Sequence, residues 1–316
     1  MRGWWQDLTD LVLPAECGGC GRPRTVLCPE CRAALSGAAP RRVRPDPEPP
    51  GLPVVHAAAP YEDEVRATLL AHKERGALTL ATPLGTALAG AVRAGTGNLC
   101  LPAPEGLPTA PDGRLRGGNG QLRPGGGHGS APLSGTGPVL LVPLPSSRWA
   151  VRARGHDPAR RIALAAAGEL RRAGTPARVL AVLRQRRAVA DQAGLNSRQR
   201  LDNLAGALEV AAGGARLLAG GARVVLVDDL MTTGASMTEA ARAVRAAVAR
   251  IDSYPDIDAC VAEAGEPTGE RMTKTTTADT DRTQATRGMA GMGGVDDMIC
   301  AAVVAAPPDS FEKNRN

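Results

Sequence analysis

Two stretches of the 316-residue chain gather side chains able to do chemistry. The first is VVLVDDLMTTGAS, from Val224 to Ser236. Four apolar residues lead into Asp228 and Asp229, and Thr232, Thr233, Gly234, Ala235 and Ser236 then open a helix. A buried strand followed at once by a turn and a helix is where open α/β sheets bind ligands. Hydroxyls and backbone N–H groups at a helix N-terminus suit a phosphate. The carboxylates beside them accept from vicinal hydroxyls or hold Mg²⁺. Carboxylates this close to a phosphate repel it unless a sugar lies between, so the spacing points to a ribose 5-phosphate. The bland alternative is a buried strand and an ordinary capped helix. A Walker-type phosphate loop is excluded, because no Gly-Lys-Ser/Thr follows.

The second stretch is ECGGCGRPRTVLCPEC, with Cys17, Cys20, Cys28 and Cys31. Two Cys-x-x-Cys knuckles can aim four thiolates at one tetrahedral Zn²⁺. Gly18, Gly19 and Gly21 are expected to permit the tight turn that turns N–H groups toward sulfur. Two disulfides or a dithiol redox pair are the alternatives. The N-terminus, MRGWWQDLTD, has neither a continuous apolar core nor a small-residue cleavage site, which argues against export and sets the expected location as cytoplasmic. Cys100, Cys260 and Cys300 are scattered and read as inert thiols.

Composition limits what can position these groups. Hydrophobic residues make up 43% of the chain and aromatics 2%, so the core must be aliphatic and alanine-rich. There are 38 Gly and 26 Pro, too many for one compact domain without long irregular stretches. No apolar run reaches the ~20 residues of a membrane helix. Residues 251–316 hold 6 basic and 12 acidic side chains, and residues 1–250 hold 32 basic and 20 acidic ones. Lys73, Lys274 and Lys313 are the only lysines, and arginine, a forked donor, suits phosphorylated or polyanionic partners. Genome composition is the other explanation for so much arginine.

Residues 1–35 read as an amphipathic helix (3–13) and a zinc-ribbon-like element, and 36–53 as a linker. Within 54–93 a short strand turns at Pro60 into a helix running toward Lys73. A second helix follows, with Thr82 as N-cap and Pro83 at N1. Residues 94–137 hold 13 Gly and 6 Pro in 44 positions and read as a flexible insertion. The core, 138–251, opens with the buried strand PVLLVPLP. It continues through a helix in RRIALAAAGELRRAG, a strand in TPARVLAVLRQ, the strand RVVLVDDL and a helix from about Ala235 to Arg250. Residues 252–298, acidic and without periodicity, read as a second disordered insertion, ICAAVVAA (299–306) as a last strand and 307–316 as a tail. This order predicts an α/β fold with an open parallel sheet.

The Val224–Ser236 segment resembles the phosphoribosyl pyrophosphate (PRPP) signature of type I phosphoribosyltransferases. The chain around it resembles the ComF (GntX-like) family over about 200 residues. The resemblance takes in the four-cysteine element, Lys73 and Gly76 as a Lys-x-x-Gly feature, VPLP, RARGHD and DQAGLNSRQRLDNLAGAL. Arg154-Gly155-His156-Asp157-Pro158 stands where the family commonly has Arg-Gly-Phe-Asn-Gln, and Asp191-Gln192 replaces Thr-Gln.

This resemblance implies a type I phosphoribosyltransferase sheet, with Asp228 and Asp229 on the ribose and Mg²⁺ and residues 232–236 on the 5′-phosphate. Pyrophosphate would lie on the loop after the first core strand, at Pro145, Ser146, Ser147 and Arg148, with Arg152 and Arg154 near it or merely solvated. Arg198, Arg200 and Asn203 fall in the stretch 184–203 that resembles the family's mobile loop. The hood, 54–93, would choose the acceptor. The implied reaction displaces pyrophosphate from PRPP with an unidentified nitrogen nucleophile; no general base is evident, and His156 is the one candidate. The alternative is a PRPP-sensing or single-stranded-DNA-binding module that joins other proteins in DNA uptake. Against it, aromatics for stacking are few: Trp4, Trp5 and Trp149. An oligomer is compatible with either.

Overall fold

The computed structural model describes residues 16–97, 138–187, 196–219, 222–252 and 299–311. The expected helix at 3–13, most of both expected insertions, and Asp191-Gln192 lie outside these residues. The elements are α1 (Pro29–Ser36), β1 (Arg41–Val43), β2 (Val54–Pro60), α2 (Asp63–Glu74), a 3₁₀ turn (Leu78–Leu80), α3 (Ala81–Gly97) and β3 (Val139–Pro143). After these come α4 (Arg148–Arg154), α5 (Pro158–Arg172), β4 (Ala177–Val179), β5 (Leu183–Gln185), α6 (Ser197–Leu204) and β6 (Leu208–Val210). The chain ends with α7 (Gly214–Leu218), β7 (Arg223–Leu230), α8 (Ala235–Asp252), β8 (Ile299–Ala306) and a 3₁₀ turn at Pro308–Ser310.

The fold is α/β, built on a six-stranded sheet of order β1-β2-β8-β7-β3-β4. All neighbours are parallel except β1 and β2. β3, β7 and β8 are the continuous aliphatic runs seen in the sequence, because strands covered on both faces cannot alternate polar and apolar residues. Instead, alternate residues enter different cores. Leu141, Val225, Val227, Ala302 and Val304 pack on the side of α2, α3 and α5. Val142, Val224, Leu226, Ala301 and Val303 pack on the side of α8. With so few aromatics, small residues set the spacing between helices. A β-carbon on Gly85 of α3 would stand 2.4 Å from the Ala165 Cβ of α5 and 2.8 Å from the Ala166 backbone nitrogen.

Several elements differ from the sequence expectation. The linker 36–53 contains β1, whose three residues are too few to show a pattern; their strand character comes from antiparallel register with Val55–Ala57. The stretch 177–185 is two strands, because the chain leaves the sheet after Val179 and β5 pairs antiparallel with β6. α3 begins at Ala81, so Thr82 lies inside its first turn rather than capping it. Proline is tolerated throughout a first turn, so Pro83 marks the start without fixing the cap. The helix also runs to Gly97, into the expected insertion, with Gly95 packed on His56 and Cys300. There tertiary contact outweighs glycine's poor helix propensity.

The order of strands reverses beside β3. From β3 the chain passes through α4 and α5 to β4 on one side, and later through β7 and α8 to β8 on the other. The carboxyl ends of β3 and β7 thus flank a topological switch point. Gly85→Ala should lower the free energy of unfolding by about 1–3 kcal/mol through overpacking of α3 on α5, read from urea or guanidinium midpoints.

Candidate functional site

A cleft opens at that switch point. Leu144, which follows β3, lines it together with Asp228, Leu230 and the run from Met231 to Met237. The turn is built by local rules. Gly234 has φ +75°, a left-handed conformation that side chains other than glycine's resist, and a β-carbon there would meet Leu52 Cδ1 at 3.0 Å. Met231 N–H donates to the Ala305 carbonyl, closing the turn onto β8. Helix α8 starts at Ala235, and its first ladder bond runs from Thr238 N to the Gly234 carbonyl. Among the described residues, no protein acceptor takes the N–H groups of Thr232, Thr233, Gly234, Ala235 or Ser236. Five consecutive residues therefore turn backbone donors or hydroxyls to an open space at a helix N-terminus.

The acidic pair is arranged asymmetrically. Asp228 lines the cleft, and its Oδ1 accepts from the Asp229 N–H at 2.8 Å. Its side chain still reaches solvent through the cleft mouth, although it lies deep between the layers. That burial, reinforced by the charge of Asp229, pushes the Asp228 carboxyl well above its usual range. Asp229 is buried, and its Oδ2 accepts from Lys73 Nζ at 2.8 Å. Burial opposes the charge on Lys73, but Asp229 and Asp228 outweigh it and raise the lysine's pKa.

Lys73 is held by its neighbours in α2. His72, fully buried, stacks on His156 with ring centroids 5.5 Å apart and planes 3° from parallel. His156 Nδ1 donates to the Arg154 carbonyl at 3.2 Å. Neither nitrogen of His72, nor His156 Nε2, has a partner among the described residues. Burial, with the charge of His156 next in weight, pushes His72 down to about 4, so the ring is neutral at pH 7. Glu74, on the other side of Lys73, pairs with Arg154 at 3.0 Å.

The remaining expected residues occupy other places. Ser147 Oγ accepts from Ala150 N–H at 3.1 Å and caps α4, so the stretch read as a loop holds a helix starting at Arg148. Ser146 is half-buried, Arg152 is exposed and Arg154 is engaged by Glu74; none of these residues lines the cleft wall. Arg198, Arg200 and Asn203 lie on α6, which begins with an Asn196–Gln199 capping box. Leu204 and Ala207 of that segment pack on Ala235, the first residue of α8. The described end of the Arg-rich stretch thus rests on the cleft's helix, and none of its described residues lines the cleft. Lys73, named in the sequence only as part of a motif, is brought by the fold onto Asp229 at the base of the turn. It is the single lysine of residues 1–250, a signal available in an arginine-dominated chain.

In the N-terminal element, the Sγ atoms of Cys17, Cys20, Cys28 and Cys31 all lie within 4.8 Å of one another. The four could hold a zinc ion, and their surroundings fit one. Cys28 N–H donates to Cys17 Sγ at 3.3 Å. Burial opposes ionisation of Cys17, yet the N–H groups of Cys28, Cys20 and Gly19 prevail and bring it down to about 6. Of the three glycines only Gly21 has a positive φ. Gly18 and Gly19 serve close packing instead, since β-carbons there would stand 2.5 Å from Leu80 Cδ1 and 2.7 Å from Cys31 Sγ. Cys300 is buried and its thiol is pushed up to about 12, in keeping with an inert role. Among the described residues no helix is long and apolar enough to cross a membrane.

No model of a known protein family matches the chain, and no curated protein matches it.

Two outcomes are expected. Chelation, or Cys31→Ser, should remove bound metal measured by elemental mass spectrometry and lower the melting temperature by at least about 2–4 °C, the shift produced by 1 kcal/mol in a chain near this size. Asp228→Asn should raise the melting temperature at pH 7. A carboxyl whose folded pKa is raised stabilises the fold below its unfolded value, 3.8, and that contribution is lost as pH rises through the folded value. The advantage of Asn should therefore vanish near pH 3.5, below that value; a melting temperature lowered at pH 7 would contradict it.

Proposed function

We propose that the protein binds PRPP in the switch-point cleft and acts as a phosphoribosyltransferase on a nitrogen acceptor. The observation that carries this is the set of N–H groups from Thr232 to Ser236, unclaimed among the described residues, in residues that line the same cleft as Asp228. Such a set suits a phosphate at one end and sugar hydroxyls at the other. The resemblance of Val224–Ser236 to the PRPP signature points to the same ligand.

Each residue's part follows from its chemistry. The amides of 232–236, with the hydroxyls of Thr232, Thr233 and Ser236, would hold the 5′-phosphate without charge, aided by the dipole of α8. Asp228 would accept from a ribose hydroxyl. Mg²⁺ fits as an ion brought by the diphosphate and touched by one carboxylate, since Mg²⁺ sites are often built largely from substrate oxygens and water. Bound there, it would draw charge from the departing pyrophosphate. Ser146 and Arg152, just beyond β3, would meet the diphosphate. The threonines bind; they are not nucleophiles. Zn²⁺ at the four cysteines would be structural, since all four positions of a tetrahedral site are filled by protein.

A single-stranded-DNA-binding module is the alternative, and one observation favours it: Trp149 is 78% exposed on α4, beside exposed Arg152. Steeply salt-dependent binding of single strands that survives Asp228→Asn would select it.

Isothermal titration with PRPP and Mg²⁺ tests the main proposal. Binding is expected in the wild type and should weaken about tenfold or more in Asp228→Asn, the effect of losing a charged hydrogen bond. Pyrophosphate release in the presence of a panel of amines and nucleobases is expected for one of them. No PRPP binding at millimolar ligand would refute the proposal.

A further inference from the structure

We infer that Lys73 is a positioning residue that divides the acidic pair, so that Asp228 alone faces the ligand while Asp229 serves as the internal anchor of the Lys73 ammonium. This rests on the ribose-phosphate reading of the cleft and departs from the expectation that both carboxylates contact the sugar and its metal.

The division follows from strand geometry. Successive side chains of a strand point to opposite faces. Val225 and Val227 belong to the core under α2, α3 and α5, and Asp229 continues that series. Val224 and Leu226 belong to the core under α8, and Asp228 continues that one. Only Asp228 therefore reaches the cleft formed by the turn into α8. The cleft lining contains Asp228 and omits Asp229. Asp229 instead points to the α2 side, where its side chain is 7% exposed and Lys73 Nζ lies 2.8 Å away.

Lys73 is a fixed charge, not a loose surface lysine. The residue before it stacks on His156, and the residue after it is paired with Arg154. Both contacts tie the last turn of α2 to the α4–α5 corner. With both chain neighbours held and its ammonium bonded to Asp229, Lys73 remains 34% exposed. It can thus present a positive charge beside Asp228 without ordering itself when a ligand arrives. A cation already seated on Asp229 also removes the need for Mg²⁺ there. Binding of the sugar-phosphate portion should consequently be independent of the metal, which would matter only when a diphosphate is present.

The test is a double-mutant cycle in the full chain, probed by calorimetry with ribose 5-phosphate, with and without Mg²⁺, and with PRPP plus Mg²⁺. Ribose 5-phosphate should bind the wild type equally in both conditions. Lys73→Met and Asp229→Asn should each weaken it about three- to tenfold, and the double variant no more than either alone, because both break one pair. Asp228→Asn should weaken it further in the Lys73→Met background, by the same factor as in the wild type. Lys73→Arg, which keeps the charge on Asp229, should restore most of the affinity, which a merely structural role for the stem would not explain. The inference is overturned if Asp229→Asn costs as much affinity in the Lys73→Met background as in the wild type, since Asp229 would then touch the ligand itself. A wild type that binds neither probe defeats the ribose-phosphate reading instead. In that event the same four proteins still decide the pairing by their melting temperatures: non-additive shifts uphold the Lys73–Asp229 anchor, and additive ones discard it.

Discussion

A strand buried on both faces can expose function only where it ends, and β7 is such a strand. Along most of its length alternate side chains vanish into two separate cores. At its carboxyl end the same alternation continues, but the next two residues are aspartates, and burying them requires partners. The chain supplies a different answer on each side. Toward α2 the partner is a lysine; toward α8 it is a cleft lined by donors that no group among the described residues claims. The asymmetry of the site is thus a consequence of period-two geometry meeting two unlike neighbours.

How much of this could be seen in the sequence depended on distance along the chain. β3, β7 and β8 were legible because strands covered on both faces must be aliphatic throughout, and the turn after β7 because its hydroxyl and glycine residues are contiguous. The four cysteines are close in sequence as well as in space. The Lys73–Asp229 pair spans 156 residues, and no local pattern encodes it. The same holds for the His72–His156 stack. His156 looked like a lone loop histidine because its partner belongs to another helix. Short elements failed for a different reason. β1 and β6 have three residues each, fewer than any periodicity needs, and owe their form to the strands beside them. The two aspartates are adjacent in RVVLVDDL, yet alternation along the strand places Asp228 on the cleft and Asp229 against Lys73.

The corner between α2 and the α4–α5 junction bears a local cost. Three buried ring nitrogens without partners among the described residues run against the usual satisfaction of polar groups. Two aliphatic side chains would fill the same space without that penalty. What imidazoles add is a flat, rigid contact between two elements that carry charges close by, Lys73 right after His72 and Arg154 two residues before His156. Violations of packing rules of this kind concentrate where a site must be held in place.

The cysteine element belongs to the same framework and is not a separate appendage. Cys17, Cys28, Cys31 and Leu35 share one continuous hydrophobic cluster with Val65 and Leu69 of α2, Leu80, Leu84 of α3 and the strands beneath. Gly18 presses on Leu80, and Gly19 has room for neither a β-carbon against Cys31 Sγ nor one against Thr68 Oγ1. One flank of α2 therefore leans on the cysteine knuckles, while its last turn delivers Lys73 to Asp229. An ion that drew the four thiolates together would stiffen the surface against which α2 is seated, and through α2 the placement of the ammonium at the cleft. In a core with almost no aromatic side chains to lock helices by bulk, a metal cross-link in the outer layer would add to the Lys73–Asp229 pair in the inner one, holding the same helix from both directions.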